Sequence, residues 1–329
     1  MSGREIATFI LSLFSKIPNL SKRKEGNIMN KSLIGLTIVV LFFVFSIPAY
    51  ATSYTYTSLN YPGASYTQSF GIDNGNIAGG YSDILGGHGF LYDGSTWTSL
   101  NYPGAYGTNV SDIYGDNIIG TYSSAKGIYG FLYNGTTWTS INYPGASRTY
   151  AFGIDAGNIV GSYINDSVEY GFLYNGTTWT SLNYPGAYET TVTDIYGGNI
   201  IGKYWNASGT HSFLYDGTTW TSINYPGAYG TLAYGIDGEN IVGWVYDING
   251  YHGFLDDNDT WTSLSYPGAF GTFAFSIDGY EIVGWYYDIS GIHGFLASPS
   301  SVPEPSTLLL LGSGLAGLAA LRKKLKIKS

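Results

Sequence analysis

The chain of 329 residues contains no cysteine. Disulfide bonds, thiol catalysis and cysteine-ligated zinc are therefore excluded. Charged residues make up only 11% of the sequence, against roughly a quarter in typical soluble domains. The sequence also lacks the G-x-S-x-G, H-E-x-x-H and P-loop motifs that mark common hydrolases and nucleotide-binding enzymes.

Positive charge is nearly missing from the middle of the chain. Between residues 52 and 301 the basic residues are Lys126, Arg148 and Lys203, against 20 acidic residues, so this span has a net charge of −17. A surface this acidic repels phosphate backbones, which argues against nucleic acid as a partner. Glycine and aromatic residues are abundant instead, with 47 glycines and 17% aromatics, and this bias favours strands and tight turns.

An apolar run at Leu33–Phe45 follows the basic residue Lys31 and precedes an A-x-A pattern formed by Ala49 and Ala51. This order predicts a signal peptide over residues 29–51, carried by the Sec translocon and cut by signal peptidase. An N-terminal membrane anchor is the alternative. Residues 1–28 are then either a long n-region or sequence preceding a true start at Met29.

The C-terminal segment has three parts in order. Pro303, Glu304 and Pro305 are followed by the apolar run Leu308–Leu321 and then by a cluster of basic residues. Residues 302–329 thus closely resemble the PEP-CTERM sorting signal of Gram-negative bacteria. The resemblance implies recognition by an exosortase, a transient inner-membrane precursor held by the C-terminal helix, and delivery to the cell surface or polysaccharide matrix. A plain C-terminal anchor is the alternative.

The middle of the chain is a repeat. Tyr-Pro-Gly recurs every 41 residues, starting at Tyr61, Tyr102, Tyr143, Tyr184, Tyr225 and Tyr266. Columns of tryptophan and phenylalanine keep the same period. Each unit has the pattern of four short strands, and such units of about 40 residues are typical of propeller blades.

The two ends of the repeat region complement each other. It begins with a fourth strand before Tyr61 and ends after a third strand around Phe295. We therefore predict, over residues 52–301, an all-β six-bladed β-propeller of four-stranded repeats, closed by pairing of the N- and C-terminal strands. The predicted signal peptide and the sorting helix flank it. An open stack or a prism is the alternative.

The units also resemble the HAF-type extracellular repeat. Its pattern is matched by Gly235-Ile236-Asp237-Gly238-Glu239-Asn240-Ile241-Val242-Gly243, followed by His252-Gly253-Phe254-Leu255. Asp replaces the family's Asn and Gly replaces its Ala. The resemblance implies a secreted bacterial protein and no particular activity.

Histidine and aspartate occupy fixed columns of the repeat. We interpret the column of His88, His211, His252 and His293 as packing or capping residues rather than metal ligands. We interpret the column of Asp73, Asp155, Asp237 and Asp278 as Asx turns. Units with Gly-Ile-Asp alternate with units bearing Asp-Ile-Tyr, which suggests duplication of a two-blade cassette. No cofactor or metal is predicted.

A catalytic site in a repeat protein normally breaks the repeat with unusual polar residues. We call the polar or aromatic residues that depart from the repeat the singular residues: Lys126, Arg148, Glu169, Glu189, Lys203 and Trp205. They are scattered over several units, and the sequence shows no convergence among them. We therefore expect no enzyme activity. The candidate ligand face carries aromatic residues next to the Pro-Gly loops and next to the variable loops between second and third strands: Tyr106, Tyr188, Tyr229, Phe270 and Trp205. The alternative is that these residues pack between blades.

These observations favour a non-enzymatic scaffold or adhesion protein of the exopolysaccharide matrix. A glycan-binding, lectin-like propeller is the first alternative, with exopolysaccharide as its partner. A propeller hydrolase is the second, because propellers gather acids from distant blades.

Replacing Pro303, Glu304 and Pro305 together by alanine tests the sorting signal. We expect export by the Sec route to continue, because the N-terminal signal is untouched, and the protein to stay tethered to the inner membrane. Cell fractionation and immunoblotting would show this retention. A triple-alanine protein that still reaches the matrix with its tail removed would contradict the assignment.

Overall fold

The computed structural model describes residues 53–300, and this span consists of β-strands joined by short turns. The strands are β1 (Tyr54–Leu59), β2 (Tyr66–Asp73), β3 (Asn76–Asp83), β4 (Gly86–Tyr92), β5 (Trp97–Leu100), β6 (Gly107–Tyr114), β7 (Asn117–Ser124), β8 (Gly127–Tyr133), β9 (Trp138–Ile141), β10 (Arg148–Asp155), β11 (Asn158–Asn165), β12 (Val168–Tyr174), β13 (Trp179–Leu182), β14 (Glu189–Tyr196), β15 (Asn199–Asn206), β16 (Gly209–Tyr215), β17 (Trp220–Ile223), β18 (Gly230–Asp237), β19 (Asn240–Asp247), β20 (Gly250–Asp257), β21 (Thr260–Leu264), β22 (Gly271–Asp278), β23 (Glu281–Asp288) and β24 (Gly291–Pro299).

The strands form antiparallel blades of four. Four separate sheets contain β2–β5, β6–β9, β10–β13 and β14–β17, which we number blades 1 to 4. The remaining sheet joins β18–β21 (blade 5) to β22–β24 and β1 (blade 6) through a single parallel pair, Tyr251 and Gly271.

The first strands of the blades form a closed ring. β2 contacts β6, and the contacts continue through β10, β14, β18 and β22 back to β2. The last blade is completed by antiparallel pairing of β1 with β24, from Tyr54 opposite Pro299 to Leu59 opposite Gly294. The predicted all-β propeller of four-stranded blades, closed by its terminal strands, is therefore confirmed.

Aromatic side chains hold the blades together away from the axis. The phenylalanine column is fully buried, from Phe90 in blade 1 to Phe295 in blade 6. Glycine is required opposite it, because a Cβ at Gly79 would lie 2.8 Å from the ring of Phe90. Tyr61, which follows β1, stacks on Tyr81 of the next blade at 3.7 Å between ring centroids. Blades 2, 3, 4 and 6 repeat this stack, so each of these contacts ties one blade to its neighbour.

The propeller has two different faces. The loop face carries the Pro-Gly loops and the turns between second and third strands, where the Tyr106 N–H donates to the Ser123 carbonyl at 2.8 Å. The hairpin face carries the other turns, such as Asn74-Gly75, whose positive φ angles of 49° and 77° suit asparagine and glycine. Both ends of the described chain lie at the hairpin face, where the Ser300 N–H donates to the Ser53 carbonyl at 2.7 Å.

Three predicted segments lie outside the described residues: residues 1–28, the signal peptide and the C-terminal sorting segment. Within residues 53–300 no helix has the length and apolar character needed to cross a membrane.

Deleting Ser53–Tyr61 tests closure of the ring. The deletion removes β1, so β24 becomes an open edge and the fully buried Phe295 loses its cover. We expect aggregation or loss of the cooperative melting transition, followed by scanning calorimetry. Adding a synthetic peptide of residues 53–61 should restore the transition, whereas a peptide with serine at Tyr56 and Leu59 should not. An unchanged melting curve after the deletion would contradict closure.

Candidate functional site

The first strands surround a cavity on the propeller axis, with a volume of about 190 Å³. We call it the axial cavity. Its lining consists of Phe70, Asn109, Ser111, Asp112, Phe152, Thr191, Thr193, Asp194, Lys203, Tyr234, Phe275 and Ser276. Aromatic rings therefore alternate with short polar side chains around most of the wall, an arrangement found in small-molecule sites.

The wall residues occupy one column of the repeat. Blades 1, 3 and 5 contribute Phe70, Phe152 and Tyr234, whereas blades 2 and 4 contribute Ser111 and Thr193. In blade 6 the equivalent residue is Phe275, whose ring lies 5.1 Å from Phe70 and 4.5 Å from Tyr234. The aromatic surface is therefore continuous across the fifth, sixth and first blades.

Asp112 and Asp194 lie at the floor of the cavity, and both are buried. Each follows a β-bulge, between Val110 and Asp112 and between Val192 and Asp194. A bulge changes which residues of a strand point to a given side of the sheet. In these two strands the carboxylate that follows the bulge points towards the axis.

Glycine allows the inner strands to approach one another at this level. The positions equivalent to Asp112 in blades 1, 3 and 5 are Gly71, Gly153 and Gly235. A Cβ at Gly71 would lie 2.7 Å from the Cα of Asp112, and one at Gly153 would lie 2.6 Å from the Cα of Asp194. No real Cβ tolerates such distances, so any larger residue at these positions would push the blades apart.

The floor carboxylates bind the next blade. Asp112 Oδ2 accepts a hydrogen bond from the Ile154 N–H at 2.9 Å, and Asp194 Oδ2 accepts one from the Ile236 N–H at 2.9 Å. In blade 6 the Ser276 hydroxyl accepts from the Ile72 N–H at 3.4 Å. These bonds tie blade 2 to 3, blade 4 to 5 and blade 6 to 1.

The aspartate column at the hairpin face ties the other pairs of blades. Asp73, Asp155 and Asp237 accept hydrogen bonds at 2.9, 2.8 and 2.6 Å from backbone N–H groups of the following blade. Asp278 accepts one at 2.7 Å from the Asn74 N–H of blade 1. The interpretation of this column as local Asx turns is therefore wrong, because the carboxylates reach across to the next blade.

The floor carboxylates have unusual acidities. Burial raises the pKa of Asp112 to about 7, although its two backbone N–H donors act in the opposite direction. Burial also raises the pKa of Asp194 well above the usual value, and the negative charge of Asp112 adds to the effect. Both groups therefore keep their proton to higher pH in the folded protein than an exposed carboxyl group does.

A groove on the loop face brings together residues that occur once in the repeat. It has a volume of about 510 Å³ and is lined by Glu169, Glu189, Thr191, Lys203, Tyr204, Trp205, Thr210 and Leu232. We call it the blade-4 groove. Four of the singular residues converge here, so the expectation that they stay scattered is wrong. Lys126 and Arg148 do not join them.

The groove and the axial cavity adjoin. Thr191 and Lys203 line both of them. The Thr191 hydroxyl donates to Glu169 Oε1 at 3.0 Å, which links blade 4 to blade 3. The two spaces are therefore separated by no more than these shared side chains.

The predicted ligand face is exposed to solvent. The aromatic residues after Pro-Gly are more than half exposed: Tyr106, Tyr188, Tyr229 and Phe270. Trp205 is 48% exposed, and its ring meets Tyr188 edge-on at 5.3 Å. The alternative that these residues are covered by packing between blades is therefore wrong.

The histidines bind within their own blades, and the ring Nδ1 atoms of His88 and His293 lie 2.7 Å from the side-chain oxygens of Asn101 and Asn60 next to the fourth strands. His88, His252 and His293 lie 3.2, 3.1 and 3.5 Å from Asp83, Asp247 and Asp288. His211 hydrogen-bonds to the Ser208 hydroxyl at 2.8 Å instead. Over residues 53–300 no three acidic or histidine side chains meet as a metal site would require.

Comparison with known proteins identifies the C-terminal segment. Residues 301–324 match the PEP-CTERM protein-sorting motif, which confirms the sorting signal predicted there. The chain is therefore an exosortase-sorted protein with a propeller body, and the motif implies export and sorting to the cell surface. No curated protein sequence matches the chain.

Several solved structures are similar at low identity. An acylaminoacyl peptidase in complex with Z-Gly-Gly-Phe-chloromethyl ketone is 14% identical over 62% of this chain and 37% of the other, with a TM-score of 0.38. The β-propeller domain of the Trilobed protease from Pyrococcus furiosus is 10% identical over 72% and 80%, with a TM-score of 0.49. Trypanosoma rangeli sialidase is 10% identical over 75% and 54%, with a TM-score of 0.43. The chain thus spans well under half of the peptidase.

Replacing Asp112 by Asn tests the buried acid. The pKa of Asp112 is about 7 in the folded protein and 3.8 in the unfolded chain. The carboxyl group therefore contributes its full stabilisation below pH 3.8, where it is protonated in both states, and this contribution is lost as the pH rises through about 7. The amide keeps an acceptor for the Ile154 N–H and carries no charge. We expect Asp112→Asn to raise the free energy of unfolding at pH 8, by on the order of a few kcal/mol, and clearly less at pH 4.5.

The matched control is Asp93→Asn, at a turn where the repeat itself uses Asn134 and Asn175. Backbone N–H donors lower the pKa of Asp93, so this change should not stabilise the protein at pH 8. Denaturant titrations at both pH values measure the difference. Equal effects of Asp112→Asn at the two pH values would contradict the assigned acidity.

Proposed function

We propose that this protein is a non-enzymatic adhesion scaffold of the extracellular polysaccharide matrix of a Gram-negative bacterium, built on a six-bladed propeller with HAF-type repeats. The PEP-CTERM motif supports surface sorting. The observation that carries the adhesive role is the set of exposed aromatic side chains on the loop face, which occupy four of the six positions after Pro-Gly. Aromatic surface at a wet, acidic face is suited to stacking on sugar rings.

The position of the chain ends supports this role. Ser300, from which the chain continues to the sorting motif, lies at the hairpin face, opposite the exposed aromatic side chains of the loop face. A tether attached at the hairpin face leaves the loop face free to meet polymer. The Sec translocon, signal peptidase and exosortase are the processing partners that this proposal requires.

Binding of a specific glycan is the second candidate function. The axial cavity and the blade-4 groove favour it, because these two adjoining spaces combine aromatic walls with hydroxyl and carboxylate groups. Hydrolysis has less support. Asp112 and Asp194, the buried acids of the cavity, accept backbone hydrogen bonds that join the blades, which is a structural role.

Removing exposed aromatics tests the adhesive role. We expect Tyr106→Ser combined with Tyr229→Ser, which are 74% and 71% exposed in the native protein, to leave export and sorting intact but to release the protein from the matrix into the medium. Fractionation of cells, matrix and medium measures the released share. The matched control is Tyr114→Ser with Tyr196→Ser, exposed tyrosines of the hairpin face. Equal release by both pairs, or release by neither, would contradict an adhesive loop face.

A further inference from the structure

We propose that the blade-4 groove, together with the axial cavity, binds a sugar that carries a single carboxylate, and that Lys203 binds this carboxylate. The inference rests on the glycan-binding form of the proposed function and names its ligand class. It starts from the way blade 4 departs from the repeat.

Lys203 is singular in its column. The equivalent residues are Gly80, Thr121, Ser162, Trp244 and Trp285, none of which is charged. The other two cations of the described span, Lys126 and Arg148, are exposed and line neither the axial cavity nor the groove. Lys203 is half-buried and lines both. A positive charge has therefore been placed at one point of an otherwise acidic depression.

Among residues 53–300 the ammonium of Lys203 has no carboxylate partner. Its Nζ lies 3.5 Å from the Tyr234 hydroxyl and 5.5 Å from the centroid of that ring. The ion pairs of residues 53–300 all join a histidine to an aspartate, although Glu169 and Glu189 line the same groove. A half-buried ammonium without a counter-charge is suited to receive an anionic group from a ligand.

The surroundings of Lys203 have the chemistry of a sugar site. The hydroxyls of Thr191 and Thr193 already donate to Glu169 Oε1 and to the Ala233 carbonyl, so their oxygens remain as acceptors for sugar hydroxyls. The carboxylates of Glu169 and Glu189 accept from sugar hydroxyls in the same way. The aromatic rings of the cavity and Trp205 at the outer end offer apolar surfaces for the faces of sugar rings. A free inorganic anion would use none of these groups except Lys203.

The number of carboxylates on the ligand is limited by electrostatics. The groove holds two glutamates for one lysine, and the span from 52 to 301 carries a net charge of −17. A dense polyanion would meet repulsion over most of this surface. An acidic unit at a chain end, or separated from the next one by neutral sugars, satisfies Lys203 without that repulsion.

The test compares methyl glucuronoside with methyl glucoside, which differ at C6 by a carboxylate in place of a hydroxymethyl group. The full-length protein is purified in a detergent without sugar head groups, and calorimetry or saturation-transfer NMR measures both dissociation constants. We expect the glucuronoside to bind at least about tenfold more tightly, because only its carboxylate forms a charge-assisted hydrogen bond with Lys203. Lys203→Met keeps the aliphatic stem and should abolish this preference, whereas Lys126→Met should keep it.

A second measurement does not depend on the variant. Rising salt should weaken binding of the glucuronoside to the native protein and leave the glucoside unaffected. Equal binding of the two glycosides by the native protein overturns the ligand class while leaving glycan binding in place. Binding of neither overturns the inference, and the matrix-release assay still decides the adhesive role separately. A preference that survives Lys203→Met overturns the role of Lys203.

Discussion

A hydrogen bond from the backbone N–H of one blade to a carboxylate of the preceding blade holds neighbouring blades together around the ring. Strand pairing satisfies the backbone inside each blade but contributes little between blades. Asp73, Asp112, Asp155, Asp194 and Asp237 make the connection in turn along the chain, and Asp278 with Ser276 makes it where the ring closes. The alternation of two blade types in the sequence follows from this, because the acceptor lies alternately at the axis and at the hairpin face.

The same bonds shape the candidate site. Gly71 and Gly153 permit the close approach that brings neighbouring blades within reach of Asp112 and Asp194, and the carboxylates then form the floor of the axial cavity. Their burial is unfavourable for the ionised form, so closing the ring raises their pKa values. The repeated residues thus build the scaffold, while the residues that occur once, Lys203 and Trp205 among them, give one blade a different chemistry.

The repeat period and the split terminal blade were sufficient to predict the blades, their four strands and the closure by β1 and β24, because each depends on patterns that recur along the chain. The meeting of Glu169, Glu189, Lys203 and Trp205 was not predictable in this way. Residues of different blades come together only through the curvature of the ring. The reach of Asp73 to the next blade was missed for a related reason, since Asp-x-Gly is also the pattern of a local turn. The sequence held one clue to this meeting, because most of the singular residues fall in the two consecutive units that form blades 3 and 4.

The location of both chain ends at the hairpin face determines how the folded protein carries load. In the proposed adhesive role, a polymer bound at the loop face and a tether continuing from Ser300 would pull in opposite directions along the axis of β24, which runs from one face to the other. This strand is paired along its length with β23 on one side and with β1 on the other. Tension therefore loads the two rows of hydrogen bonds in shear, all together, instead of peeling them apart one at a time. In that role the strand pair that closes the ring would also be the pair that carries the load.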